Sequence, residues 1–97
     1  MKPLDQLLPD DLEPLVGQSF SVVQNEGDLR LELVAVRALP PHSRREKPFA
    51  LLFRGPSQPV LQQRIHTLAH AELGTMAMFL VPVSGGQGSV EYEAIFN

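Results

Sequence analysis

The chain has 97 residues, of which 43% are hydrophobic and 20% charged; this suits one small globular domain spanning 1–97 and excludes a multidomain enzyme. Eight basic against eleven acidic residues give a net charge of −3, so no overall positive field draws nucleic acid or an anionic membrane surface. The absence of cysteine removes disulfides, thiolate nucleophiles and thiolate metal centres.

Met1-Lys2-Pro3-Leu4-Asp5 lacks the apolar run of a secretory signal. The longest apolar stretch, 76–83, falls far short of the ~20 residues that cross a bilayer. A soluble cytoplasmic protein without a membrane segment is expected. Next along the chain, Leu4, Leu7, Leu8, Leu12, Leu15 and Val16 fall on a helical stripe. Asp10, Asp11 and Glu13 favour a helix N-terminus, Pro9 suits a first helical position, and Gly17 suits the stop. The spacing predicts a short amphipathic helix over 9–16.

From Ser19 the period becomes two. Phe20 and Val22 point one way, Asn25-Glu26-Gly27-Asp28 supplies a turn, and Leu29, Leu31 and Leu33 alternate with Arg30 and Glu32. Beyond Glu32 the polar face vanishes, because Val34, Val36 and Ala38 occupy it; a bulge, a sheet crossover or a covering helix would each explain this. The proline-bounded segment 40–48 is read as a loop, and Phe49, Leu51 and Phe53 resume a strand. Over 61–73 the pattern fits a helix through Leu61, Ile65 and Leu68, and equally a strand with His66, Leu68 and His70 on one face. Residues 76–83 are apolar on both sides and are expected to form a central strand. Residues 84–89 read as a loose hairpin loop. Val90, Tyr92, Ala94 and Phe96 alternate with Glu91 and Glu93 in the last strand.

These elements predict a mainly β fold: a small antiparallel barrel or sandwich of about six strands with a short N-terminal helix. The expected core is Leu12, Leu15, Phe20, Val22, Leu31, Leu33, Phe49, Leu51, Phe53, Leu68, Met78, Leu80, Tyr92, Ala94 and Phe96.

Three stretches carry a resemblance: Pro48-Phe49-Ala50-Leu51-Leu52-Phe53-Arg54-Gly55-Pro56, then Phe79-Leu80-Val81-Pro82-Val83 after Leu73-Gly74, and Tyr92-Glu93-Ala94-Ile95-Phe96-Asn97. The chain resembles, over nearly its whole length, a family of functionally uncharacterised bacterial proteins of about 100 residues. Members of that family are often encoded beside phage-tail-collar proteins, which implies a tail-like or adhesive context for a protein partner. In the family the segment matching 64–70 is extended and ends in His-Pro. Ala71 takes the proline position here, which favours a strand and leaves the helix open.

His66 and His70 would lie about 6 Å apart along a helix, close enough to share a metal, but roughly 13 Å apart along a strand. Thr67 stands where a zinc-protease motif needs glutamate, so ordinary polar histidines are the better reading. Gly85-Gly86-Gln87-Gly88 lacks the Lys-Ser or Lys-Thr and the following helix of a phosphate loop, and reads as a turn. Glu91 and Glu93 share a strand face about 7 Å apart, which alternation alone explains. No serine lies in a nucleophile elbow. Catalytic, cofactor-binding and metal-binding residues are therefore expected to be none. The candidate partner-binding residues are Arg44, Arg45 and Lys47 in the 40–48 loop and Arg54 at a strand end, where it caps or pairs. The expected function is that of a non-catalytic interaction or accessory protein, its partner docking on a sheet edge or on the 40–48 loop. The alternative is a barrel holding a small ligand.

Overall fold

A computed structural model of the chain describes residues 7–25, 27–40, 48–86 and 88–96. An α-helical turn, α1 (Pro9–Leu12), runs into a 3-10 turn (Glu13–Leu15). Pro9 occupies the start, where its missing N–H is no loss. The Asp11 carboxylate accepts the Leu8 N–H at 2.8 Å, and Gly17 breaks away with φ +92°. This is the helix expected over 9–16, and it buries Leu12 and Leu15. Leu4, the first member of the stripe, lies outside the described residues.

Six strands follow: β1 (Ser19–Val22), β2 (Leu29–Ala38), β3 (Phe49–Pro56), β4 (Arg64–His70), β5 (Gly74–Gly86) and β6 (Ser89–Phe96). All pair antiparallel and close into a barrel in the order β1-β2-β3-β6-β5-β4. Within the open segment at 61–73, residues 64–70 form a strand, not a helix, and the barrel rather than the sandwich forms. All fifteen expected core residues are buried. Gly55 admits Leu31: a Cβ there would come within 2.5 Å of Leu31 Cδ2.

A bulge explains the lost polar face after Glu32. Leu33 pairs with Phe53 and Ala35 with Leu52, leaving Val34 unpaired. The extra residue switches the inward positions from odd to even, so Val36 packs against the core. The same device recurs at Val83, between Pro82 paired with Tyr92 and Ser84 paired with Glu91.

The matching bulges reveal an approximate two-fold axis. Strands β1-β2-β3 and β4-β5-β6 are two meanders, joined through β3–β6 and β1–β4. The pair Phe20–Leu31 corresponds to Arg64–Leu80, Leu33–Phe53 to Pro82–Tyr92, and Ala35–Leu52 to Ser84–Glu91. Phe53–Tyr92 corresponds to itself and so straddles the axis. The axis leaves the opposite wall at Val23 and Thr67, where the Val23 N–H donates to the Thr67 carbonyl at 2.9 Å. Among the described residues only the first meander has a helical segment pinned to its bulge. Leu33 N–H donates to the Gln18 carbonyl and Gly17 N–H to the Leu33 carbonyl, whereas Pro82, at the matching place, has no N–H to give.

Two expectations are corrected. The 76–83 segment was expected to be a central strand, apolar because both faces are covered. It lies within β5, but Phe79 and Val83 are about half exposed. A closed barrel has one interior, and among the described residues no second layer covers this wall. The loose loop at 84–89 is instead mostly strand: β5 runs to Gly86, which pairs with Ser89. Small residues and the bulge let the ladder continue to that pair.

Candidate functional site

Arg54 projects outward from β3 and is directly opposite Glu91 on β6. Its Nη2 lies 3.2 Å from Glu91 Oε2, and the Ser84 hydroxyl donates to Glu91 Oε1 at 2.9 Å. Cross-strand pairing extends the row through Glu32 to Ser19. A polar band, Ser19–Glu32–Arg54–Glu91–Ser84, therefore crosses five strands. The Ser84 hydroxyl, and after it the Arg54 guanidinium, hold the Glu91 carboxyl below the ordinary glutamate range. Beside the band lies an open groove of about 380 Å³, lined by Arg30, Glu32, Arg54, Gly55 and Ser89 among others. Its two arginines and one carboxylate suit a polar segment of mixed charge.

Arg54 thus pairs as the sequence suggested. The other three candidates, Arg44, Arg45 and Lys47, lie outside the described residues. The ends of their loop, Pro40 and Pro48, adjoin the Ala38–Phe49 pair, at the far end of β3 from Arg54, about 17 Å along the strand. The expected docking on a sheet edge has no outermost strand to use, because among the described residues every strand has a neighbour on both sides. Arg30 and Glu32 were not singled out from sequence. Their outward parity was readable, but the register that sets them beside Arg54 was not.

His66 and His70 are buried on the inner face of β4, and their bonds go to the chain itself. His66 Nε2 donates to the Gln62 carbonyl at 2.8 Å. His70 Nδ1 accepts from the Glu72 N–H at 3.0 Å and the Leu73 N–H at 3.4 Å, which places its proton on Nε2, donating to Gln18 Oε1 at 2.8 Å. One imidazole thus ties the β4–β5 turn to the end of the helical segment. Among the described residues no three His, Asp or Glu side chains group as a metal site requires. Glu91 is held by Ser84 and Arg54, while Glu93 sits between Leu52 and Val81 in its row.

A ligand in the barrel would compete with the side chains that fill it. Phe20 meets Phe53 edge-to-face at 5.3 Å and His70 at 4.7 Å. Tyr92 is fully buried and its hydroxyl accepts the Leu61 N–H at 2.9 Å. The family described as a domain of unknown function (DUF6916) matches residues 7–96. The chain belongs to this family. The DUF6916 match takes in the helical turns and all six strands. No curated protein and no solved structure matches the chain. Among the described residues no helix is long and apolar enough to cross a membrane.

Proposed function

We propose that this chain is a non-catalytic interaction domain, an accessory protein of the cytoplasm that a protein partner grips on its outer wall. One observation carries the reading: the groups chemistry would draw on are engaged in holding the barrel. Both nitrogens of His70 and Nε2 of His66 bind the chain's own backbone and Gln18, and Glu91 is shared by Ser84 and Arg54. The groove beside Arg54 supports docking there, because Arg54 uses one edge of its guanidinium on Glu91 and is 46% exposed, leaving donors for carbonyl or carboxylate groups of a peptide. A net charge of −3 favours a protein over nucleic acid as partner. The family resemblance supplies the partner class, a phage-tail-collar-type protein.

Calorimetric titration with a purified collar-type protein encoded beside a family member tests this. The wild type is expected to bind, and Arg54→Glu to bind at least about tenfold more weakly, a change of ~1.4 kcal/mol, with an unchanged circular dichroism spectrum. Absence of binding by the wild type would end the collar reading. Equal binding by the variant would move the docking face away from Arg54.

A further inference from the structure

The outer wall of the second meander carries an apolar row that none of the described residues covers. Ile65 on β4 pairs with Phe79 on β5. The β5–β6 register, Val81 opposite Glu93, carried two residues along, brings Ile95 to the same level on the next strand. Ile65 is 63% exposed, Phe79 49% and Ile95 52%. The neighbouring row holds Val23, Thr67 and Ala77, where Val23 N–H bonds the Thr67 carbonyl and Thr67 pairs with Ala77. Together these side chains present on the order of 400 Å² of apolar surface, a size at which a patch on a monomer is regularly functional.

We propose that this face binds a second copy of the chain. The order Ile65–Phe79–Ile95 reads the same in both directions across three strands. A two-fold axis lying in the plane of the face and passing through Phe79 therefore sets Phe79 on Phe79 of the second copy and isoleucine on isoleucine. This holds whether the axis follows β5 or the row. Glu93, one row and one strand off the axis, never meets its own copy, so no like charges oppose. Such self-complementarity is what an isologous dimer requires. The area agrees: a stable interface takes about 800 Å² per partner, with homodimer interfaces about 65% apolar, so the two rows together supply most of the apolar part. The wall's curvature confines contact to a few strands, which is the width of the row.

Sedimentation over a micromolar-to-millimolar concentration series tests the proposal. The wild type is expected to pass from monomer to dimer. Phe79→Lys, which places two ammonium groups on the axis, should raise the dissociation constant at least about 30-fold, and Ile65→Lys should do likewise. Val16→Lys, equally exposed but beside β2, should leave it unchanged. Urea midpoints of the variants separate loss of association from loss of folding. A wild type that stays monomeric, or folded Phe79→Lys and Ile65→Lys variants that dimerise as well as the wild type, would overturn the proposal. Neither result bears on collar binding at Arg54.

Discussion

Single side chains here hold the barrel by satisfying one another. Tyr92 is the chain's sole tyrosine, it lies on an inward row, and its hydroxyl is the partner of the buried Leu61 N–H. Tyr92→Phe keeps the ring and orphans that donor, so urea denaturation should show a loss of about 1–3 kcal/mol; an unchanged midpoint would mean that water reaches Leu61. Glu91 gives a prediction in pH. Its carboxyl is held low by the Ser84 hydroxyl first and the Arg54 guanidinium second. A group whose folded pKa is depressed contributes stability above its unfolded value and loses it as pH falls through the folded one. An NMR titration of the Glu91 side-chain carboxyl should therefore have its midpoint below the ordinary glutamate range. Ser84→Ala should raise it, and the stability gap between that variant and the wild type should close in acid. A midpoint indifferent to Ser84 would contradict the hydroxyl as the leading cause.

Strand faces were the most legible feature of the sequence, because period two puts every second side chain into the only interior available. Phe49, Leu51 and Phe53 are buried, and Arg54 beside them is outward. Phe53→Ala should thus cost about 3–5 kcal/mol, whereas Arg54→Ala should move the denaturation midpoint far less; comparable midpoints for these adjacent residues would undo the face assignment. Alternation was harder to read at 64–70. There the inward row is His66, Leu68, His70, and two of its three members look polar until their bonds to Gln62, Gln18 and the 72–73 backbone are seen. The run at 76–83 misled for the opposite reason. Its outward residues are apolar and, among the described residues, uncovered, and no pattern within one strand distinguishes burial by a second layer from exposure.

At the scale of the whole molecule, closure depends on pairings distant in sequence, and it is there that local reading ended. Turn or loop signals announce the β1–β2, β2–β3 and β5–β6 reversals and not the β4–β5 one, and nothing local reports that β3 meets β6 or that β1 meets β4; the polar band and the apolar row are products of those pairings. The two joints differ in strength. β3 and β6 pair along their length, from Phe49–Phe96 to Pro56–Ser89, while β1 and β4 pair at Ser21–Ala69 and Val22–Leu68 and continue through Val23 N–H to Thr67. Opening the short joint breaks few ladder bonds and leaves both meanders joined through β3–β6. What opposes it is Phe20, fully buried against Phe53 and His70. Opening of the weaker joint without global unfolding should appear in native-state hydrogen exchange. The Val23 amide is expected to exchange faster than the amides of 51–54 in β3, and Phe20→Leu should widen that difference by loosening β1 alone. Equal protection at Val23 and in the centre of β3 would show instead that the barrel opens only as a whole.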